Sequence, residues 1–416
     1  MSNLVEIKDL VETIIDNRGK TVPTSKIGIP LIATNCIKHE SLYPTFEKLR
    51  YITQETYDTW FRAHIQPGDI LFVNKGTPGR VCLVPDPADF VAAQDMVGLR
   101  FKNEFNPYYM LALLRSDHVQ RTVQNNFVGL VIPHFRKQEL VKMKLPVADR
   151  ETRDKVGSFF KALSLKIELN RRINVELEQM ARTLYDYWFV QFDFPDASGK
   201  PYKSSGGQMA YNDQLKREIP AGWQVQDMHA NDLFEIIKPK IDKFAGTKQY
   251  IATADVNELT MTYGTPITYE GRESRANMQP REYTVWFAKM KESVKHIFVG
   301  DYSEDLLHYA IFSTGFMGMQ TSIEAFEYLT LTIHRPYFEL VKDANSNGAT
   351  MAAIGNNDMK NIKLLVPNDR VLAQFHEIAR PILEKMDRNR QESQKLAHLR
   401  DWLLPMLMNG QVKVGD

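Results

Sequence analysis

The sequence predicts an α+β chain with an internal two-fold duplication: two mixed α/β globules, each followed by a long coiled-coil helix. The first observation behind this is a set of short motifs that recur in one order. "LIATN" (Leu31–Asn35) returns as "YIATA" (Tyr250–Ala254), and "RAHIQP" (from Arg62) returns as "RANMQP" (from Arg275). "NPYYM" (from Asn106) returns as "RPYFE" (from Arg335), "KLPV" (from Lys144) as "LVPN" (from Leu365), and "NRR" (from Asn170) as "NRQ" (from Asn389). The spacings are 219, 213, 229, 221 and 219 residues. Each match is weak alone, but their shared order makes duplication the economical reading. Insertions in surface loops account for the scatter.

The second observation is the end of each copy. Val156, Phe160, Leu163, Ile167, Asn170, Ile173, Leu177, Met180, Leu184 and Trp188 mostly alternate steps of three and four, the seam of a coiled coil. Val371, Phe375, Ile378, Ile382, Met386, Asn389, Ser393, Leu396, Leu399 and Leu403 repeat it. Pro381 interrupts this second run and should kink it or delay its regular start. Asn170 and Asn389 fall at the same point of both stripes, where an amide in a dry seam fixes register by demanding a partner amide. At ~35 to 40 residues each helix is ~50 to 60 Å long.

The third observation is the texture of the globules. "GDILFVN" (Gly68–Asn74), "RVCLVP" (Arg80–Pro85) and "YLTLTIH" (Tyr328–His334) read as strands. Pro107 and Pro336 each follow a strand and open an aliphatic helix, "YYMLALLRS" and "YFELVKD". The turn-rich "FPDASGKPYKSSGG" (Phe194–Gly207) links the copies.

Composition limits the function classes. With 52 Lys+Arg against 51 Asp+Glu, the net charge is +1, so any nucleic-acid footprint must be local patches. The two cysteines, Cys36 and Cys82, form no metal-ligand or CxxC pattern, which fits a reducing cytoplasm. "MSNLVEIKDL" carries charges where a signal peptide needs an apolar core, and no run approaches the ~18 apolar residues of a membrane span. A soluble, cytoplasmic protein with no metal site is expected.

Two motifs imitate catalytic sites. "FNPYYM" (Phe105–Met110) resembles the Asn-Pro-Pro-Tyr loop of adenine methyltransferases, but its second proline is replaced by Tyr108, Arg335 stands where its repeat partner needs Asn, and no Gly-rich strand-turn-helix could cradle adenosylmethionine. Pro107 reads instead as a helix-opening proline. "IIDNRGKT" (Ile14–Thr21) ends like a phosphate loop but has Ile14 where the first glycine belongs. What remains is polar and basic loop chemistry. Asn74, Lys75, Thr77 and Arg80, then His134, Arg136 and Lys137, lie in the first copy; Lys289, Lys291, Lys295, Ser313, Thr314 and Gln320 lie in the second. Such groups suit phosphates and base edges.

The stretch "LEQMARTLYDYWFVQFDFPDASGKPYKSSGG" (Leu177–Gly207), followed by "LKREIPAGWQV" (Leu215–Val225), resembles the central region of the specificity subunits of type I restriction-modification systems. The resemblance implies a target-recognition domain over 1–148, a central helical region over 149–207, a second recognition domain over 208–366 and a distal helical region over 367–416. It implies that an antiparallel helix pair holds the two domains apart, with Leu163, Ile167, Asn170, Leu177 and Leu184 facing Met386, Asn389, Leu396, Leu399 and Leu403. Each domain would read half of an interrupted double-stranded DNA site. The chain would be non-catalytic and bind no cofactor. Two modification subunits would carry S-adenosylmethionine, and two restriction (motor-nuclease) subunits would use ATP in phage defence. The competing readings are a coiled-coil scaffold without DNA specificity and a divergent DNA methyltransferase.

Overall fold

The computed structural model describes residues 3–16, 20–129, 131–348 and 351–408. Residues 17–19 of the discarded phosphate-loop motif lie outside them. The chain forms two compact units, one from residues up to Leu169 together with those from Lys395 onward, the other Asn170–Gln394. Both mix helix and strand.

In the first unit seven strands form two sheets: β1 (Val11–Asp16), β2 (Ile29–Ile32), β3 (Arg50–Ile52), β4 (Ile70–Val73), β5 (Val81–Leu83), β6 (Val91–Ala92) and β7 (Met96–Phe101). One sheet is antiparallel in the order β1-β7-β4-β5; the other runs β3-β2-β6, with β2 and β6 parallel. β4 and β5 are buried along their whole length, which is why they read as unbroken apolar runs. Helix α1 (Pro107–Arg115) opens with Pro107 after the cap residue Asn106, whose Oδ1 accepts the Tyr108 N–H at 2.9 Å. Helix α2 (Asp117–Asn126) follows, then the long helix α3 (Arg150–Tyr185). Phe72, Leu99, Tyr109, Leu113, Val123 and Phe160 share a core here with Leu404 and Leu407.

The second unit contains β8 (Phe234–Ile237), β9 (Lys248–Ile251), β10 (Thr265–Ile267), β11 (Ala276–Met278), β12 (Thr284–Ala288), β13 (His296–Val299), β14 (Ala310–Ser313) and β15 (Phe316–Thr321). Two four-stranded sheets are built from them: β8-β15-β12-β13, all antiparallel, and β10-β9-β14-β11, with β9 and β14 parallel. Helices α4 (Phe326–Ile333) and α5 (Pro336–Ala344) follow β15, and α6 (Asp369–Met408) is the second long helix. The core is aromatic, built on Trp188, Phe189, Trp223, Phe287, Tyr328 and Phe375.

Three expectations change. "YLTLTIH" is not a strand but most of α4. Its alternating Thr and Leu imitate a strand, yet burial on nearly every side, a Tyr328 hydroxyl that donates to Leu365 O at 2.6 Å and a Thr332 hydroxyl that donates back to Tyr328 O accommodate a helix. Pro336 consequently follows a helix, not a strand, and opens the second helix after β15, whereas Pro107 opens the first helix after β7. The "NPYYM"/"RPYFE" match therefore pairs different helices, because proline favours the first position of any helix. Finally, α6 begins at Asp369 and is continuous through Pro381, so its regular start is not delayed; Pro381 is exposed, and its missing N–H leaves its carbonyl partner to water.

The residues Phe194–Gly207 are ordered by their own chemistry within the second unit. The Phe194 ring stacks between Tyr202 and Trp223, and Asp196 accepts N–H bonds from Ser198 and Lys200. In the same unit the segments of α3 and α6 run antiparallel. Asn170 Nδ2 donates to Glu392 Oε2 at 2.8 Å and Ser393 Oγ at 3.2 Å, while Asn389 Nδ2 donates to Asn174 Oδ1 at 2.8 Å and Asn174 Nδ2 to Met386 O at 2.9 Å. Both stripe asparagines are buried, but each finds its main partner one turn along the facing helix instead of in the other's amide. Leu177, Leu184 and Met386 are half-buried here. Leu163, Ile167, Leu396 and Leu403 are half-buried in the first unit, where Leu399 is 39% exposed and lies off the seam.

Candidate nucleic-acid interface

In the first unit residues 74–80 join β4 to β5 in a tight turn. Gly76 and Gly79 take positive φ of 86° and 92°, and the Gly79 N–H closes onto Val73 O at 2.9 Å. Residues 127–129 and 131–136 fold against this turn. His134 pairs with Val128 and with Lys75, the Gly76 N–H donates to Pro133 O at 2.9 Å, and the Phe135 N–H donates to Asn74 O at 2.8 Å. The fold thereby brings Lys75, His134 and Arg136 into one patch, with Lys75 and Arg136 exposed. The others serve the frame. Asn74 is buried, Thr77 is half-buried, and Arg80 directs a guanidinium N–H to Ile37 O at 3.5 Å. Lys137 is occupied by Asp16.

In the second unit the corresponding connection, 289–295, joins β12 to β13. It too is clasped by a second loop. Met290 pairs with Ala353, which also pairs with Asn347; the Lys291 N–H donates to Ala352 O and the Ile354 N–H to Lys289 O, both at 2.9 Å. Lys291 is exposed, and burial, then nearby Lys238, holds the half-buried Lys289 ammonium below its ordinary value. The Lys289 N–H donates to Gly315 O at 3.0 Å, which places the Ser313–Thr314 turn beside it. Ser313 is buried, with its Oγ accepting the Gly315 N–H. Lys295 turns inward, donating from Nζ to Thr253 O at 2.5 Å. Gln320 is not part of the cluster: it pairs with Thr284, at the far end of β12 from Lys289, and its amide donates to Glu282 O.

Sequence reasoning passed over the apolar tips of both patches. Val131 is 93% exposed and Met351 72%, with Ile132, Met290 and Val294 also exposed. Apolar groups beside exposed cations suit base edges and thymine methyl groups. A signal was present: "NFVG" (Asn126–Gly129) and "NSNG" (Asn345–Gly348) lie 219 residues apart, and both glycines take positive φ.

The methyltransferase-like Asn106 is spent on capping α1, and α3 packs against it at Gly157, where a Cβ would lie 2.7 Å from Asn106 Cγ. Among the described residues no group of three or more His, Cys, Asp or Glu could hold a metal ion, and no helix is long and apolar enough to cross a membrane.

Residues 2–179 match the family described as type I restriction modification DNA specificity domain. The MjaIX specificity subunit of a type I restriction enzyme from Methanocaldococcus jannaschii is 22% identical over 430 residues, covering 99% of this chain and 93% of that protein. These matches support a specificity subunit of a type I restriction-modification system. These relatives are named as specificity subunits, not as catalytic ones. The HindI specificity subunit from Haemophilus influenzae is 23% identical, with 84% of this chain and 87% of that protein covered. The crystal structure of a type I restriction-modification S subunit from M. genitalium aligns over 97% of this chain and 95% of its own, with 14% identity and a TM-score of 0.48.

Proposed function

We propose that this chain is a specificity subunit that reads a bipartite, interrupted site in double-stranded DNA, one half with the loops of each unit. The observation that carries the reading is the match of residues 2–179 to a DNA specificity domain, combined with relatives whose alignment spans nearly the whole chain. Lys75, His134 and Arg136 serve one half-site; Lys289, Lys291 and the Ser313–Thr314 turn serve the other. Asn74, Thr77, Arg80, Lys137 and Lys295 shape these loops from behind. The two units are descendants of one duplicated ancestor, a reading supported by their equivalent sheet orders and clasped loops.

A chain with two similar halves can dock two copies of one partner while carrying two different readers. The partners on this reading are two modification subunits, which bring S-adenosylmethionine, and two restriction subunits, which bring ATP. They dock on the long helices, in the cytoplasm. The chain itself binds no cofactor.

Binding of duplex DNA to the full chain at several salt concentrations tests the interface. Lys75→Ala and Lys291→Ala should each weaken specific binding by ~1 to 3 kcal/mol if a base is read, or reduce the salt slope by about one if a phosphate is touched. Unchanged affinity and slope in both variants would remove these loops from the interface.

A further inference from the structure

Beneath the 289–295 loop lies a lysine that never reaches solvent. Lys342, in the second turn of α5, is 0% exposed. A buried ammonium is tolerated only where its charge is paired and its donors are used. Lys342 Nζ donates to Glu339 Oε2 at 2.5 Å, Ser293 O at 3.1 Å and Ala288 O at 3.5 Å. Ala288 is the last residue of β12 and Ser293 stands three residues before β13, so one ammonium ties both ends of the loop. Asp343 adds a second fastening, its Oδ1 accepting the Glu292 N–H at 3.0 Å. Glu292 has φ of 56°, a left-handed conformation that a non-glycine residue holds only where its surroundings enforce it.

The carboxylate is itself held. Glu339 Oε1 lies 2.8 Å from His296 Nε2, and His296 begins the strand that leaves the loop. His296 Nδ1 meets His334 Nδ1 at 3.2 Å, and His334 Nε2 lies 2.8 Å from Glu178 Oε1 of α3. The loop is therefore fastened to α5 by charge-assisted bonds to its backbone, which fix where Lys289 and Lys291 stand without touching either side chain.

Packing alone does not require this lysine. In the first unit the corresponding helix, α2, places apolar Val123 beneath Gly79 of the 74–80 turn, at the position that Lys342 occupies in the second. What the ammonium adds is a hold on two carbonyls of one loop.

We propose that Lys342, set by Glu339 and His296, is a positioning residue that fixes the 289–295 loop for reading one DNA half-site. This rests on the loop being a DNA reader, as proposed above. Selection of preferred sites from a pool of random duplexes, with the full chain, tests it on three proteins: wild type, Lys342→Met and the double variant Lys289→Ala/Lys291→Ala. Lys342→Met that melts cooperatively should keep one half-site and lose about tenfold or more of base discrimination in the other, with unchanged salt dependence of non-specific binding. Loss of packing alone would lower the melting temperature without altering which bases the folded protein prefers. Unaltered preference in folded Lys342→Met, with the double variant impaired, would overturn the positioning role and leave the reading loop standing. Unaltered preference in the double variant would remove the loop from the interface and the proposal with it. Should Lys342→Met fail to fold, Glu339→Gln decides: it retains the side chain's shape and weakens the hold, so relaxed discrimination in the same half-site supports the role and unaltered discrimination refutes it.

Discussion

The two units present their loops on equivalent frames and support them by opposite chemistry. In the first, the turn 74–80 rests on a neutral amide: Gln120 Nε2 of α2 donates to Gly79 O at 2.9 Å and Leu114 O at 2.7 Å, beside apolar Val123. In the second, the helix position 219 residues on is Glu339, and Lys342 stands where Val123 does. A glycine-built turn needs little support because its positive φ angles are unstrained. The second loop lacks glycine, contains a residue of left-handed φ, and is held by ions. The same frame thus accepts either neutral or charged support, and a matching position cannot be assumed to behave alike in both halves. A paired buried charge also fails more severely than an amide when one member is removed.

The largest effect expected from this contrast is in Glu339→Ala, which leaves the Lys342 ammonium buried without its carboxylate and should cost about 3 to 5 kcal/mol. Gln120→Ala, at the matching place, should cost only about 1 to 2 kcal/mol. Urea denaturation of both variants checks this, and equal losses would break the contrast.

At one matched position of the long helices α3 carries Ala162 and α6 carries Pro381. Because Pro381 is exposed within a continuous helix, Pro381→Ala should stabilise the second unit by up to about 3 kcal/mol, read as a higher denaturation midpoint. No gain would mean that the helix bends there for packing reasons.

Central strands β7 and β15 carry Gly98 and Gly318 opposite β4 and β12. A Cβ at Gly318 would lie 2.5 Å from the Trp286 ring, against 3.1 Å from Ile15 Cβ at Gly98. Gly318→Ala should therefore destabilise by about 1 to 3 kcal/mol, and Gly98→Ala by less. Thermal melting of the pair ranks them.

The smallest effect is with pH. Burial, only partly countered by its bond with Glu339, holds the His296 imidazole below its ordinary value of 6.5. The unfolded chain then binds a proton that the folded one refuses, so stability falls as pH drops through the unfolded value. Hydrogen bonds from His296 and Lys342 outweigh burial and hold Glu339 below its ordinary 4.5, so its contribution fades only at lower pH. Gln120 does not titrate. His39 of the first unit shifts in the same direction as His296 but is common to wild type and variant. Wild type should lose more stability than His296→Gln between about pH 7.5 and pH 5.5, measured by urea midpoints.

Much of the architecture was legible in the sequence because it rests on periodicity. The seam residues foretold both long helices, and Asn170 and Asn389 are buried at matching points, although each bonds along the facing helix. β4 and β5 were legible as short apolar runs. Helix α4 was not, since Tyr328, Thr330 and Thr332 carry strand propensity that burial overrides. Among the candidate contacts, Lys75, Arg136 and Lys291 are exposed on loops, while Lys137 and Lys295 face partners that spacing could not reveal. The support beneath the second loop was the least legible element. Glu339 and Lys342 stand three residues apart in "FELVKD", the spacing of an ordinary solvent-exposed ion pair, and only the fold buries them.

The central claim is that the two units read independently. It is tested most directly by replacing residues 208–366 with the equivalent segment of another specificity subunit, assembling the chimaera with its modification subunits, and mapping methylated adenines by sequencing. The account predicts that one half-site changes and the other is retained. A chimaera that methylates with both half-sites changed, or with neither changed, would contradict it.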